Sequence, residues 1–439
     1  MKVYTSLMII LLFNFTFKAI SQPLLPSVQL NTKTLDNGYY FLYPYKIPKS
    51  LDAQQILDAK GRVIAYNLIN AASDFKLHHN GMISYFANGK HIIMNQSFKI
   101  IDSISCVNGI ETDRHDFIIL PNGHYLLIGM ETITEDFSNK YCFLKKGING
   151  SKNAKVKYGV VQELDRNKNV VFQWSSKGTY LPEDADPFYL TDTANIDLTH
   201  FNSVDINKKG EILVSVRFFN EVIKINKHDS SVIWRMGGRK NQILVTNDSL
   251  PFYGQHDARY IDNNRFTLFD NGYSFDSLKH NVRALEYMIN DKSKTAKVIW
   301  KYSNENQLIS EATGNVQRLE NGNTLIHYGY LGKGIPKISF EVVKGNREKI
   351  FQSKYNEPIA SYRVYFYKKN KLNLHRPKLT KKRENGIINI NAPIGYKYYL
   401  WNTGQTSPKI SATNRGEYYV YLSNDSISFI ASKILKLNK

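Results

Sequence analysis

Three histidines and one arginine have the clearest potential for chemistry in this chain of 439 residues. His115, His200 and His256 each stand shortly before a polar turn that leads into an apolar run, and Arg217 follows the apolar run after His200. Imidazoles act as nucleophiles and move protons near neutral pH, and a guanidinium offers a rigid fork of donors to a tetrahedral oxyanion. Together these residue types predict a site for a small anionic group.

The spacing of the histidines from these turns is regular. His115 lies 8 residues before the turn glycine Gly123 (123 − 115), and His256 lies at the same distance from the equivalent residue of its own turn. His200 lies 10 residues before Gly210 (210 − 200), which we interpret as the same position with a longer turn. Equivalent positions of a structural repeat face the same way, so the spacing predicts that the three imidazoles share one site.

Arg217 and Asn202 are expected to complete this site. Asn202 follows His200 by two residues, so in a strand it points to the same face and adds an amide donor. Three histidines could instead bind a metal ion. The positive charge of Arg217 disfavours a dication there, and no carboxylate is in phase with the histidines, so we expect no metal and no cofactor.

The elements that must position these residues are short strands arranged in a repeat. Asn-Gly between apolar runs is a strong hairpin signal, because type I′ turns need a positive φ. Each hairpin is followed by a second strand pair, and four strands repeated six times is typical of a six-bladed β-propeller, whose first strands line the central axis. The six hairpins span residues 35–42, 77–83, 120–127, 207–213, 261–268 and 319–326.

The chain is therefore predicted to be all-β, with a six-bladed β-propeller over residues 22–370. Residues 371–383 are basic and poor in strand formers, which predicts a linker. Residues 384–439 alternate strand-like runs with turns again, and they resemble the small immunoglobulin-like β-sandwich modules appended to exported bacterial proteins.

The first residues have the pattern of a secretory signal peptide. A charged start, an apolar run and small residues at the cleavage spacing predict that residues 1–21 are removed and that the protein is exported, either to the periplasm or to the medium. No other apolar stretch is long enough to span a membrane. In an oxidising compartment the two cysteines, Cys106 and Cys142, could form one disulfide.

The charge of the chain is strongly positive. Lys and Arg number 58 against 38 Asp and Glu, for a formal charge of +20. A field of this sign attracts anions, although the same count could reflect basic residues spread over a solvated surface. No nucleic-acid-binding motif accompanies the densest basic run, so we expect an anionic small molecule rather than a nucleic acid as the partner.

Several motifs resemble one known family when they are taken together. Residues 28–370 are similar to the arylsulfotransferases, exported six-bladed propellers that move sulfuryl groups between phenols without a nucleotide sulfate donor. The motifs that carry the resemblance are His115-Asp116-Phe117, His200-Phe201-Asn202-Ser203-Val204, Arg217, Trp234-Arg235-Met236-Gly237-Gly238, Gln255-His256-Asp257-Ala258-Arg259, Leu268-Phe269-Asp270-Asn271-Gly272 and Gly314-Asn315-Val316-Gln317.

The resemblance implies a role for each candidate residue. His256 would be the nucleophile that is transiently sulfated, and His115, His200 and Arg217 would hold the sulfuryl oxygens with help from Asn202. His115 or His200 would also serve as the acid for the departing phenolate. The implied partners are a phenolic sulfate donor and a phenolic acceptor. Two alternatives stay open: a non-catalytic propeller that binds an anionic ligand, and a hydrolase that uses water as the acceptor.

Overall fold

The protein is described here by a computed structural model. The described residues are 28–32, 37–46, 52–69, 73–139, 150–186, 190, 192–273, 280–331, 338–355 and 359–438. Within them the chain forms thirty-five β-strands and a few short 3-10 turns, with no α-helix. The prediction of an all-β protein is therefore confirmed. The predicted signal peptide, residues 1–21, lies outside the described residues.

The strands are numbered in chain order. The first seventeen are β1 (Val28–Thr32), β2 (Gly38–Lys46), β3 (Ala53–Asp58), β4 (Val63–Leu68), β5 (Ser73–Leu77), β6 (Ile83–Ala87), β7 (Lys90–Met94), β8 (Ile100–Ile104), β9 (Glu111–Ile119), β10 (Tyr125–Glu135), β11 (Ala154–Leu164), β12 (Val170–Ser175), β13 (Asn195–Asp197), β14 (Phe201–Ile206), β15 (Glu211–Val216), β16 (Glu221–Asn226) and β17 (Val232–Gly237). The next ten are β18 (Leu244–Val245), β19 (His256–Tyr260), β20 (Arg265–Asp270), β21 (Arg283–Asn290), β22 (Thr295–Tyr302), β23 (Asn315–Arg318), β24 (Thr324–His327), β25 (Ile338–Val343), β26 (Lys349–Tyr355) and β27 (Ile359–Lys368). The last eight are β28 (Thr380–Glu384), β29 (Ile387–Asn391), β30 (Tyr398–Trp401), β31 (Lys409–Ala412), β32 (Gly416–Tyr418), β33 (Val420–Ser423), β34 (Ser428–Ala431) and β35 (Leu435–Leu437).

Six antiparallel units of four strands follow one another, and we call them blades 1 to 6. Blade 1 contains β27, β2, β3 and β4, blade 2 contains β5 to β8, and blade 3 contains β9 to β12. Blade 4 contains β14 to β17, blade 5 contains β19 to β22, and blade 6 contains β23 to β26. The N-terminal strand β1 pairs with β26 and so joins blade 6. The C-terminal strand β27 pairs with β2 and so completes blade 1.

One edge strand of each blade, named first in the lists above, is called its inner strand. It contacts the inner strands of both neighbouring blades. These contacts run from β27 through β5, β9, β14, β19 and β23 and back to β27. Four of these junctions have the same kind of hydrogen bond. In each, a polar side chain of one inner strand accepts a hydrogen bond from a backbone N–H of the next inner strand. The acceptors and donors are Asp116 with Val204 (2.9 Å), Ser203 with Ala258 (2.9 Å), Asp257 with Val316 (3.3 Å) and Asn315 with Val364 (2.9 Å).

The turn of the His200 hairpin differs from its interpretation in the sequence. Gly210 N–H donates to the carbonyl of Asn207 at 3.0 Å, just as Gly123 N–H donates to the carbonyl of Leu120 at 2.8 Å, so the two turns have the same length. Both glycines have a positive φ, of 79° and 83°, where a side chain would be strained. The interpretation of a longer turn is therefore wrong.

The two additional residues of blade 4 lie at the start of the inner strand instead. His200 immediately precedes β14, and Asn202 occupies the position 8 residues before Gly210 (210 − 202) that His115 occupies in blade 3. The junction bonds agree with this register, because Ser203 accepts an N–H from the next blade as Asp116 does. Asn202 is therefore the residue of blade 4 that is equivalent to His115, and His200 reaches the site from two residues upstream.

Apolar side chains fill the spaces between neighbouring blades. Between blades 3 and 4, Trp174 stacks on Phe201 with ring centroids 6.3 Å apart, in a buried cluster that continues through Val214. Gly159 permits this approach, because an added Cβ there would lie 2.6 Å from the Phe201 ring. Close packing at Phe201 thus fixes the strand that begins beside His200.

The C-terminal strands form a further unit that is joined to blade 1. β34 pairs with β4, so one seven-stranded sheet runs from β27 through blade 1 into β34, β33 and β30. β28 begins at Thr380, inside the segment 371–383 that was predicted to be a linker, and Trp401 is fully buried in the core of the unit. The immunoglobulin-like character of residues 384–439 stays a prediction.

Candidate active site

A cavity of about 310 Å³ lies where the inner strands meet, and residues on or beside strands of all six blades line it. Four of the five residues predicted from the sequence line it, namely His115, His200, Arg217 and His256. The rest of its wall consists of Tyr43, Tyr45, Asp52, Ser73, Arg114, Ala312, Thr313 and Tyr362. Among the predicted residues, His115 and His256 meet at this cavity although they are 141 residues apart in the sequence (256 − 115).

His256 has a defined tautomer. Its Nδ1 lies 2.9 Å from the carbonyl oxygen of Gly254 and 2.8 Å from Oδ1 of Asn271, and both of these atoms are acceptors. Its Nε2 lies 3.2 Å from the backbone N–H of Thr313, which donates to it. Since two acceptors at Nδ1 require the proton there, Nε2 carries the lone pair.

The orientation of the Asn271 amide supports this assignment. Its Nδ2 donates to Oγ of Ser310 and to the carbonyl of Thr313, each at 3.0 Å, which leaves Oδ1 for His256. Asn271 is fully buried, so these partners replace water completely. The same amide thus fixes both the imidazole and the backbone at Thr313.

His256 is also held in its neutral form. Burial and the positive charge of Arg217 hold the pKa of His256 well below its ordinary value, and the hydrogen bond that His256 donates to Asn271 opposes them only in part. The imidazole is 2 % exposed. A neutral imidazole with its lone pair on a fixed nitrogen is a competent nucleophile.

His115 and His200 differ from His256 because each contacts a carboxylate. Nδ1 of His115 lies 2.5 Å from Oδ1 of Asp113, and Nδ1 of His200 lies 2.7 Å from Oδ2 of Asp197. The two rings are in edge contact, with centroids 4.7 Å apart. A carboxylate at Nδ1 keeps the proton there and stabilises an imidazolium when one forms. These two histidines are therefore suited to proton transfer and to anion binding.

Burial and neighbouring charges shift the pKa values of Asp113 and His200 in defined directions. Burial alone would raise the pKa of Asp113, but the neighbouring His115 and His200 lower it below its ordinary value. Burial lowers the pKa of His200, and Asp197 opposes this shift. His200 thus keeps a proton less readily than a histidine in water would with the same carboxylate beside it.

Arg217 and His200 are held together by the backbone. Arg217 N–H donates to the carbonyl of His200 at 3.2 Å, at the point where β15 ends in a short 3-10 turn. Its Nη2 donates to the carbonyl of Glu311 at 2.8 Å, so the side chain is also tied to the segment before β23. His200 has a φ of +50° and stacks on Phe218 with centroids 4.5 Å apart, so packing maintains an unfavourable backbone conformation.

Asn202 is not on the cavity wall. It is fully buried, and its Nδ2 donates to the carbonyl of Gln255 at 2.6 Å, in the segment just before His256. Its own carbonyl accepts hydrogen bonds from the Tyr362 hydroxyl and from Arg363. In this structure Asn202 thus supports the backbone beside His256 instead of presenting its amide to the cavity.

Bulges explain how neighbouring residues of one strand reach the axis together. In blade 5 the pairing with β20 jumps between His256 and Arg259, and in blade 3 four residues, 113–116, face a single residue of β10. The inner strands of blades 1, 2 and 4 are also irregular at this level. A bulge re-aims side chains that would otherwise alternate between the two faces of a strand.

Sequence reasoning missed four groups that act on the site. They are the carboxylates of Asp113 and Asp197, the amide of Asn271 and the backbone N–H of Thr313. The carboxylates stand two and three residues before their histidines, so short His–Asp spacings were an available signal. Asn271, 15 residues from His256, stands in one of the motifs of the resemblance, but the motif alone does not give it a role. Thr313 lies 57 residues from His256 and acts through its backbone, so its residue type gives no signal.

Cys106 is buried, and its Sγ lies 3.6 Å from the carbonyl oxygen of Ile128. Burial raises the pKa of the Cys106 thiol to about 12. Its predicted partner Cys142 lies outside the described residues, so the disulfide stays a prediction. In the described ranges no group of three or more His, Cys, Asp or Glu side chains could hold a metal ion. No helix within those ranges has the length and apolar character to cross a membrane.

One family model matches the chain. It is the model described as Arylsulfotransferase (ASST), and it matches residues 27–365. This span includes all the cavity residues. No curated protein sequence matches significantly.

Several solved structures show a weak likeness. A protein of unknown function from Bacteroides caccae has a TM-score of 0.48 and 11 % identity, over 75 % of this chain and 98 % of that chain. A streptogramin B lyase has 0.34 and 10 %, over 90 % and 98 %. Hsv2 of Kluyveromyces lactis has 0.37 and 9 %, over 76 % and 98 %. All three scores are below 0.5, so no functional conclusion is transferred from them.

Proposed function

The chain belongs to the arylsulfotransferase family, and we propose that it transfers a sulfuryl group from a phenolic sulfate to a phenolic acceptor through a sulfo-histidine at His256. The family supports the aryl sulfotransferase activity itself. The observation that carries the finer mechanism is the state of His256, which is neutral and protonated at Nδ1 beside Arg217 and two carboxylate-bound histidines. No nucleotide sulfate donor enters the proposal.

In the first half-reaction Nε2 of His256 attacks the sulfur of the donor. An N–S bond forms, the S–O bond to the aryl group breaks, and the phenolate leaves with a proton from His115 or His200. Negative charge builds up on the sulfuryl oxygens, where Arg217 stabilises it. The backbone N–H of Thr313, which donates to Nε2 in the absence of substrate, is in reach of a sulfuryl oxygen once Nε2 is bonded to sulfur.

In the second half-reaction the acceptor phenol replaces the product. The histidine that gave up its proton accepts one from the acceptor hydroxyl, whose oxygen attacks the sulfur. The N–S bond breaks, and its electron pair returns to Nε2 of His256. The enzyme is then in its starting state, as a ping-pong reaction requires.

The aromatic side of the cavity suits phenolic substrates. Tyr43, Tyr45 and Tyr362 line it, and Phe218 stacks behind His200. Aromatic walls favour planar rings through offset and edge contacts. In the proposal a substrate places its ring against Tyr43 and Tyr45, whose own rings are in contact, and its sulfuryl group at the histidines.

Three further parts of the proposal concern the protein as a whole. The first is export after removal of residues 1–21, to the periplasm or the medium. The second is a closed six-bladed propeller, which the contacts of the inner strands support. The third is the disulfide between Cys106 and Cys142 in the exported protein.

The proposal is tested by intact-mass measurement after mixing the protein with 4-nitrophenyl sulfate in the absence of acceptor. We expect a gain of one sulfuryl group that localises to His256 and disappears when phenol is added, with phenyl sulfate as the product. A protein that releases nitrophenol steadily without acceptor is a hydrolase. A protein that is stabilised by the sulfate ester but never gains mass is a binding protein, and the transferase proposal is then wrong.

A further inference from the structure

The cavity wall contains two arginines, and they lie near different groups. Arg217 acts electrostatically on His200 and His256, where the sulfuryl group is expected. Arg114 instead acts on the hydroxyl of Tyr45, on the aromatic side of the cavity. The proposed transfer uses one cation at the sulfuryl group, so it gives no role to Arg114.

The backbone of Arg114 is fixed, and its side chain is exposed. Arg114 belongs to the bulged segment 113–116 of β9, and its carbonyl accepts the Ser73 hydroxyl at 3.0 Å. Its flanking residues, Asp113 and His115, are buried, whereas Arg114 itself is exposed and lines the cavity. The bulge thus presents a guanidinium at the cavity, one residue from a histidine of the site.

The charges of this wall are not balanced. Among the described residues, no carboxylate forms an ion pair with Arg114. The carboxylate on the same wall, Asp52, accepts the hydroxyl of Tyr43 at 3.2 Å. Among the described residues that line the cavity, Arg114 does not form an ion pair with Asp52, so its guanidinium can bind an anionic group of a ligand.

We propose that Arg114 forms an anion subsite that selects phenolic substrates with a second acidic group, such as a ring carboxylate or carboxymethyl group. A guanidinium binds a carboxylate through two parallel hydrogen bonds, which gives preference for the charged substrate over a neutral one of the same shape. The inference rests on the proposed function, because it assigns the acidic group to the end of the substrate that lies away from the transferred sulfuryl group.

The test compares two acceptors that differ in charge alone, 4-hydroxyphenylacetate and 4-hydroxyphenylacetamide, with 4-nitrophenyl sulfate as the donor. For the unmodified protein we expect kcat/KM to be about tenfold higher for the acid, since a partly exposed charge pair is screened by water. Arg114→Gln should remove this preference by slowing transfer to the acid, and it should leave transfer to the amide within about twofold.

Arg166→Gln is the matched control. Arg166 is an exposed arginine of the same blade, and it donates to the carbonyl of Asn122 in a turn away from the cavity. We expect this variant to keep the preference for the acid. Equal rates for the two acceptors in the unmodified protein would overturn the subsite. So would an Arg114→Gln variant that is slowed equally with both acceptors, because Arg114 would then act on the sulfuryl group itself.

A binding measurement separates the subsite from the proposed function. If neither acceptor is sulfated, the transferase proposal fails, and calorimetric titration with 4-hydroxyphenylacetate then tests Arg114 alone. Binding of the acid that weakens about tenfold in Arg114→Gln, with the amide unaffected, supports the subsite. Absence of binding by the unmodified protein, or binding of the acid that does not depend on Arg114, contradicts it.

Discussion

The inner strands carry two layers of residues that are one position apart in the sequence and differ in their contacts. The site layer is formed by Ser73, His115, Asn202, His256, Gly314 and Tyr362. The ionic layer is formed by the next residue of each strand, namely Asp74, Asp116, Ser203, Asp257, Asn315 and Arg363. His200 and Arg217 add to the site layer from outside this register.

Charges in the ionic layer are paired with one another. Arg363 is 1 % exposed, and its guanidinium lies 2.7 Å from Asp74 and 3.2 Å from Asp257. It also donates to the backbone carbonyls of His115 at 3.0 Å and of Asn202 at 2.7 Å. One side chain of β27 thereby joins four other blades.

Two more cations complete this layer. Lys76 and Arg259 each lie 2.7 Å from an oxygen of Asp116. Although burial alone would raise the pKa of Asp116, these cations hold it well below its ordinary value. In the site layer, by contrast, His115 and His256 have acceptors at Nδ1 and keep Nε2 for other contacts. The difference indicates that the ionic layer joins the inner strands to one another, whereas the site layer supplies histidines to the cavity wall.

The largest expected effect separates two adjacent residues, one from each layer. His256→Asn should reduce the burst rate of 4-nitrophenol release by at least about 10⁴-fold, because the nucleophile is lost. Asp257→Asn should instead lower the free energy of unfolding by about 3 kcal/mol, because Arg259 and Arg363 each lose one of their buried carboxylate partners. Stopped-flow absorbance and urea unfolding of both variants measure the two effects. If His256→Asn lost stability and kept its burst, the division between the layers would be wrong.

The second prediction concerns Arg363. Arg363→Met should lower the free energy of unfolding by about 3–5 kcal/mol, because Asp74 and Asp257 lose a buried partner. Arg318→Met is the control: Arg318 also pairs across blades, with Glu286, and it lies over the Trp300 ring at 4.1 Å, but it is only partly buried.

For Arg318→Met we expect a loss of about 1 kcal/mol. Urea unfolding followed by tryptophan fluorescence compares the two variants. If both variants lost a similar free energy of unfolding, the central position of Arg363 would not contribute more to stability than the position of Arg318.

The third and smallest effect changes the pH dependence of the site layer. Asn271→Asp places a carboxylate at Nδ1 of His256, which raises its pKa because an opposite charge favours the imidazolium. The protonated ring has no lone pair, so the burst rate should fall as the pH drops through the raised pKa, to about one tenth for each unit below it. The unmodified protein should keep its rate over that range, since its His256 pKa is well below the ordinary value.

Asn271→Ala is the matched control for this prediction. It removes the hydrogen bond to His256 without adding a charge, so we expect a slower burst at every pH and no new inflection. Burst rates between pH 5 and pH 8 compare the variants. An Asn271→Asp variant with the pH profile of the unmodified protein would show that Asn271 does not control protonation of the nucleophile.

Local patterns predicted much of this architecture correctly. Turns such as that at Gly123 need a positive φ, so the residues that favour it mark hairpins in the sequence. The repeat of hairpins predicted an all-β protein of four-stranded units. The residues predicted to share a site, His115, His200, Arg217 and His256, do line one cavity. The prediction of an all-β fold succeeded because turn chemistry and repeat spacing are properties of a few neighbouring residues.

The predictions that changed depend on pairing between strands. Alternation in a regular strand would place His256 and Asp257 on opposite faces, but the bulge in β19 buries both near the axis. A bulge is defined by two strands, so a count along one strand cannot detect it. For the same reason the sequence assigned the repeat position to His200, whereas the pairing of β14 gives it to Asn202.

The sequence by itself determined which residue types stand at the axis and which hairpins bring them there. Only the tertiary structure decided their chemical state. His256 is neutral, with its lone pair on Nε2, because Asn271 accepts its Nδ1 proton and Arg217 lies nearby, and both residues come from other parts of the chain. Protonation depends on distance and burial, and the chain acquires both only when the blades assemble.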